Sequence, residues 1–288
     1  MKKMMAIALS AVTVFGGALG FTSCVGGEKH IMVISRDAES GTKAAFDEIV
    51  KKDGVKLQEA ELIREVEHAN STGVVKSKVE TNKTAIGYIS FSALDESVKA
   101  LSIDGVAPTV ENVQNGTYGL KRPFILMTPN GNEGERYGLN ETAFDFFNYC
   151  MSESSKTAIS ALGCVEADRD YAVYETAANT VSGTIYVEGS TSMTDLMTAL
   201  IGEYKKVQPS VTVTPTYNGS SNGRTAVKGN TIGLASSTKP SDNYEEHIVC
   251  IDAIAVIVHK SNSLENITVE QLYDIYTGTI KKFSEIDG

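Results

Sequence analysis

The 288-residue chain has no tryptophan, four cysteines and four histidines. Each shortage excludes something. Beyond Cys24, the cysteines are Cys150, Cys164 and Cys250. Their spacing fits no zinc pattern, and an odd number argues against a full disulfide framework. Cys150 and Cys164 could pair, but three buried thiols is the plainer reading. His30, His68, His247 and His259 stand in no metal-ligand spacing, so neither metal nor cofactor is expected. There is no basic run either. Lys and Arg number 26 against 36 Asp and Glu, a net charge of −10. Such a balance is poor for gripping a phosphate backbone, so nucleic acid is not an expected partner. A small anion is not excluded, because a pocket can oppose the global sign. Neither GxxxxGK[ST] nor GxGxxG occurs.

What is present reads as a globular chain, 42% hydrophobic and 22% charged. Its length suits two domains or lobes. Residues Met1–Cys24 read as a secretory leader: Lys2 and Lys3, an apolar stretch to Phe21, then Thr22-Ser23 before Cys24. Cys24 resembles the acylated cysteine of bacterial lipoproteins, which implies a lipid-anchored, extracytoplasmic protein. Simple secretion, with cleavage near Ser23, is the alternative.

Short apolar runs then alternate with amphipathic stretches. Strands are expected at 31–34, 86–90, 184–187, 211–216 and 253–258. Helices are expected at 42–52, 142–151, 155–161, 193–206 and 269–276. This alternation indicates α/β architecture. Residues 166–183 lack sustained periodicity and read as a linker.

Three strand–loop–helix turns share one chemistry. They are Ser35-Arg-Asp-Ala-Glu-Ser-Gly-Thr42, Gly189-Ser-Thr-Ser192 and Gly219-Ser-Ser-Asn-Gly223. Each sets hydroxyls and small residues where a helix begins. The first amides of a helix lack internal partners and suit an anion, and glycine lets its oxygens come close. Any one such loop can be a plain helix cap. Three together, one with Arg36, point to an oxyanion site, because a guanidinium fork can hold two oxygens.

A rival reading starts from Gly219–Gly223, which also matches G-x-S-x-G. Ser221 would be the nucleophile, with Asp242 or Asp252 and His247 or His259 completing a serine hydrolase. Little chain follows in which to build such an enzyme, and no oxyanion-hole motif is evident.

The loops, with further segments, resemble a family. Ser35–Thr42 resembles the SRExGSGT stretch of the phosphate-binding proteins of phosphate ABC transporters. Gly189–Ser192 is similar to their GSTS loop and Gly219–Gly223 to their GSxxG loop. Thr231–Ser237 resembles their DIGMSSR segment, Leu272–Gly278 their LxxIFxG helix. Ala85–Ser90, Ile103–Val106, Tyr118 and Arg122-Pro-Phe124 match their later strands. The resemblance implies a two-lobed, type II periplasmic-binding-protein-like α/β fold that binds inorganic phosphate and serves a membrane permease without catalysis. It implies ligand contacts from Arg36, Ser40, Gly41, Thr42, Thr191, Ser192, Ser220 and Ser236, and less firmly from Ser71 and Thr72.

The segment order differs from the family's, in which the GSTS half comes first; this chain reads as a circular permutation. The expected lobes are 28–120 and 121–288, joined once near Lys121–Phe124, so looser closure is expected than in unpermuted relatives. Three departures stand out: Glu39 replaces a glycine, Thr231 an aspartate and Ser237 an arginine. Some relatives use a carboxylate to accept the proton of hydrogen phosphate and so reject sulfate. None is evident among this chain's cleft donors, so weaker discrimination against sulfate is expected, while Glu39 and Thr231 leave a ligand-free sensor or scaffold of the same fold as a further alternative.

Overall fold

The computed structural model describes residues 29–60, 66–175 and 181–286. The expected leader and Cys24 lie outside the described residues.

The chain starts with β1 (Met32–Arg36), α1 (Gly41–Ile49), β2 (Glu67–Ala69), α2 (Thr72–Thr81), β3 (Ala85–Ser90) and β4 (Val98–Ala100). β1 pairs in parallel with both β2 and β3. Parallel neighbours need a crossover, and the helices supply it. β3 reads Ala-Ile-Gly-Tyr-Ile-Ser and is buried throughout, as a strand covered on both faces must be. α1 ends at Ile49, short of the expected Lys52, because Asp53 and Gly54 take positive φ. That turn folds Lys51–Lys52 back onto Val55–Lys56 as a small hairpin.

β5 (Lys121–Thr128) then leaves this lobe. The second lobe holds α3 (Glu141–Met151), α4 (Lys156–Ala161), β6 (Val165–Glu166), β7 (Gly183–Gly189), α5 (Thr194–Val207), β8 (Val211–Tyr217), α6 (Ser220–Ala226) and β9 (Thr231–Ala235). β7 is parallel to β8 and β9. The 15-residue β10 (Glu245–His259) leads on to α7 (Val269–Thr277).

β10 corrects the expected division. Its first part pairs antiparallel with β5, from Glu245↔Thr128 to Ala253↔Lys121. Its last part pairs with β3, from Ile254↔Ser90 to Val258↔Ile86. The chain therefore crosses between lobes twice, not once. Residues from about Ala253 onward belong with the first lobe: Ile254, Val256, Val258, Leu272 and Ile275 share a core with Ile31, Phe46, Tyr88 and Leu101. A two-strand hinge removes the reason for expecting looser closure. The apolar run 253–258 identified a strand but not its sheet, because pairing partners are set by the whole fold. The described ends also meet in this lobe, where the Ile31 amide donates to the Lys281 carbonyl at 2.8 Å. The second lobe has its own core, with Phe124, Phe146, Ile185, Leu196 and Leu234.

Candidate functional site

The three Ser/Thr/Gly loops converge where the lobes face each other. Ser40 caps α1, its hydroxyl accepting from the Lys43 amide at 3.2 Å. Ser71 caps α2, accepting from the Val74 amide at 3.2 Å. These caps are local sequence effects, since a hydroxyl at this position satisfies an otherwise orphaned amide. They leave Thr42 and Thr72, in the first turns, free to face across.

Thr42 Oγ1 and Ser192 Oγ, from opposite lobes, share a hydrogen bond of 2.7 Å. Thr72 Oγ1 lies 3.3 Å from the same Ser192 oxygen. Arg36, at the end of β1, reaches across from Nη2 to Thr191 Oγ1 at 3.0 Å. Its Nη1 donates to Thr72 Oγ1 at 3.4 Å, its Nε to the Ala69 carbonyl at 3.0 Å, and Nη2 also to the Asn70 carbonyl at 3.3 Å. On the other lobe, Ser190 Oγ donates to Ser236 Oγ at 2.9 Å. The Ser236 amide donates to Ser220 Oγ at 3.2 Å. Gly41 closes the ring: a Cβ there would stand 2.3 Å from Ser220 Oγ and 2.7 Å from Ser236 Oγ. Seven of the eight expected residues, Arg36, Gly41, Thr42, Thr191, Ser192, Ser220 and Ser236, are therefore brought into one interlobe cluster, and the eighth, Ser40, stands next to it as the cap of α1. Thr191 alone among them is only partly buried.

Arg36 sets the electrostatics. It is 1% exposed, and burial lowers its pKa to about 10. It stays charged at neutral pH. Among the described residues, no carboxylate forms an ion pair with it, and its hydrogen-bond acceptors are neutral carbonyls and hydroxyls. Tyr88 supports it from behind: the Tyr88 hydroxyl accepts from the Arg36 amide at 3.2 Å and shares a 2.9 Å hydrogen bond with Ser35. Burial holds that phenol well above its ordinary pKa, so it stays neutral.

Sequence reasoning did not single out Ser190, Asn70 or Tyr88. Ser190 lay within the quoted loop, and the strand-to-helix rule could have found it. Asn70 acts through its backbone, and Tyr88 through a contact 52 residues distant, which no local pattern carries.

The departures prove peripheral. The Glu39 side chain is exposed, and its carbonyl accepts from the Ser221 amide of the other lobe at 3.2 Å. Gly219, at φ 109°, makes that approach possible, because a Cβ would stand 2.9 Å from the Glu39 carbonyl oxygen. Thr231 begins β9, whereas Ser236 follows its end, so roughly 16 Å of strand separates Thr231 from the cluster. Ser237 accepts from Arg224 through its carbonyl at 2.5 Å.

The hydrolase arrangement does not assemble. Ser221 is exposed. His247 Nε2 is bonded to Thr128 at 2.9 Å, His259 Nδ1 to Ser261 at 2.8 Å, and Asp252 to Arg122 and Ser90. The G-x-S-x-G spacing here serves close packing: a Cβ on Gly223 would stand 2.6 Å from the Glu188 carbonyl oxygen.

Comparison with known proteins agrees with this geometry. A PBP superfamily domain model matches residues 23–154 and 175–288. The phosphate-binding protein PstS 2 of Streptococcus pneumoniae serotype 4 is 34% identical over 297 residues, covering 99% of each chain. That of Streptococcus agalactiae serotype V is 33% identical over 267 residues, covering 89% of this chain and 87% of its own. The crystal structure of a phosphate ABC transporter, phosphate-binding protein from S. pneumoniae TIGR4 superposes with a TM-score of 0.66 at 35% identity. It covers 90% of this chain and 100% of that one. Two lobes joined by a paired hinge, three hydroxyl-rich loops around a buried arginine, and an end-to-end relationship to named relatives lead to one assignment: the chain belongs to the phosphate-binding protein PstS family, within the PBP superfamily.

Proposed function

We propose that this protein is the phosphate-binding component of a phosphate ABC transporter, capturing inorganic phosphate between its lobes and presenting it to the membrane permease. The observation that carries the reading is Arg36, a buried cation whose acceptors are all neutral. Burying a charge unpaired costs several kcal/mol, on the order of what an anionic partner returns. A tetrahedral oxyanion is such a partner. The guanidinium fork takes two oxygens, and the hydroxyls of Thr42, Thr191, Ser192, Ser220 and Ser236 take the rest, with Ser40 and Gly41 shaping the turn that brings backbone amides close. Thr72 and Ser190 extend this set. The ligand joins donors from both lobes, so binding favours the closed arrangement. No bond is made or broken.

The leader sequence supports processing at Cys24, with lipid attachment there and placement outside the cytoplasm. The motif order supports a circular permutation relative to the order in which the GSTS half comes first, one that the collinear PstS 2 relatives share, and the proximity of residues 31 and 281 in one lobe is consistent with it. A chain cut there and rejoined through 166–183 keeps every strand pair.

Heat denaturation with and without phosphate tests the function. A ligand that binds only the folded chain raises the melting temperature, by mass action. No shift at millimolar phosphate would favour the sensor or scaffold. For the order, a chain with residue 286 joined to 29 and opened between 175 and 181 should fold and bind phosphate; a chain that fails to fold removes the permutation.

A further inference from the structure

The strand that carries Arg36 runs past one of its neighbours. β1 pairs with β2 from Ile34↔Glu67 to Arg36↔Ala69, but with β3 only at Met32↔Ala85 and Val33↔Ile86. Residues two apart on a strand aim their backbone groups at the same edge. The Asp37 amide donates to the Ala69 carbonyl at 3.2 Å, so the groups of Ser35 and Asp37 face β2. Those of Ile34 and Arg36 face the other edge, where both residues are buried and need partners. Two phenols supply them. The Tyr276 hydroxyl, from α7, donates to the Ile34 carbonyl at 3.1 Å. The Tyr88 hydroxyl, from β3, accepts from the Arg36 amide at 3.2 Å and shares a 2.9 Å hydrogen bond with Ser35 Oγ. Phe46 of α1 stacks on Tyr88 with ring centroids 4.0 Å apart, and its centroid lies 5.0 Å from that of Tyr276. One aromatic block thus stands behind both Arg36 and the helix that Ser40 caps.

We propose that Tyr88 and Tyr276 are positioning residues for phosphate binding: their hydroxyls hold the end of β1 where Arg36 meets the anion. They act through the backbone of β1 and not on the ligand. A neighbouring strand would fix this edge with a continuous ladder, whereas here the setting of Arg36 depends on two side-chain oxygens. Removing either oxygen leaves a buried backbone group without its partner. The strand end regains one only by shifting, and Arg36 shifts with it. Binding must then pull the guanidinium back into line, so affinity falls although no group that touches the anion has changed.

Phosphate is titrated calorimetrically into the wild-type chain, Tyr88→Phe and Tyr276→Phe, with an unliganded urea melt of each. Either variant should bind phosphate roughly tenfold more weakly, as for one unsatisfied buried group. Tyr88→Phe is then measured on two altered backgrounds. On Arg36→Lys its effect should shrink to about twofold or less, because a flexible ammonium does not need a fixed strand end. On Ser236→Ala, which alters a donor of the other lobe, the roughly tenfold loss should persist, as for independent sites. A merely structural role gives the same loss on both backgrounds, and that result overturns the proposal. So does wild-type affinity in both tyrosine variants. If Tyr88→Phe does not fold, Tyr276→Phe takes its place on the two backgrounds. The inference rests on the phosphate-binding reading: absence of wild-type binding overturns both, whereas wild-type binding that the variants leave unchanged overturns this inference alone.

Discussion

Arg36 and Arg122 are both buried arginines, 1% and 2% exposed, and they differ in what faces them. Arg122 stands on β5, opposite Asp252 on β10. Its Nε and Nη2 donate to Asp252 Oδ2 at 3.2 and 3.1 Å, and Ser90 donates to the same oxygen at 2.8 Å. Burial pushes the Asp252 pKa up against the pull of Arg122, and pushes that of Arg122 down. Each charge opposes the shift that burial imposes on the other. Arg36 has no such partner among the described residues. One arginine is held by a carboxylate and ties the two crossing strands together, although its Nη1 and Asp252 Oδ1 have no hydrogen-bond partner among the described residues. The other is a charge that, in the proposed function, an anion completes. The residue type is the same; what differs is whether a carboxylate of this chain faces it.

The largest expected effect breaks the comparison at Arg36. Arg36→Met should weaken phosphate binding by roughly 30- to 5000-fold, as for truncating one side of a buried charged pair. Without phosphate, its stability should stay within about 1 kcal/mol of wild type, because an uncompensated charge leaves with the side chain. Calorimetric titration and unliganded urea melts read the two halves separately. A large loss of unliganded stability would make Arg36 structural and erase the distinction.

The opposite pattern is expected at Arg122. Arg122→Met should cost about 3–5 kcal/mol of stability by leaving Asp252 charged and alone, whereas Arg122→Met with Asp252→Leu should recover most of it. Urea melts of the single and double variants measure this. If the double variant is as unstable as the single, the penalty lies in hinge packing and not in the unpaired charge.

Gly41 sharpens the picture at smaller scale. Gly41→Ala puts a methyl group 2.3 Å from Ser220 Oγ, a contact made only when the lobes meet. The cost should fall on closure: phosphate binding weaker by about tenfold, for a strain of 1–3 kcal/mol, with unliganded melting little changed. Equal affinity to wild type would mean that the lobes need not approach this closely.

Much of this site was legible in the sequence, for a physical reason. Anion loops are local: Ser40, Ser71 and Ser190 each cap the turn immediately following, so a few consecutive residues carry the signal. Strands such as 85–90 announced themselves by apolar runs. What failed was long-range. The apolar run 253–258 is only the last part of β10, and nothing in it says that residues 245–252 continue the same strand and pair with the other lobe, so the second crossing was missed. The Arg122–Asp252 pair is 130 residues apart and equally invisible. Thr231 looked like a lost ligand because a motif compresses a strand into adjacent letters, whereas the strand separates its two ends.

The same contrast bears on which anion the site accepts. At Arg122 the carboxylate fixes the partner. At Arg36 the surrounding side-chain groups are hydroxyls, which can donate or accept, and among the described residues no carboxylate joins the cluster to demand a proton from the ligand. Hydrogen phosphate offers such a proton and sulfate does not. A carboxylate would repel sulfate through two opposed lone pairs; a serine can simply turn its hydrogen toward the oxygen. Sulfate should therefore bind within about a hundredfold of phosphate, a gap of under 3 kcal/mol, near the cost of one imperfect hydrogen bond to a charged group. Competition calorimetry, with sulfate titrated before phosphate, measures the gap. Tight phosphate binding untouched by millimolar sulfate would mean that a group outside the hydroxyl ring reads the proton. Asp37, beside Arg36 and partly buried, would be the first residue to replace.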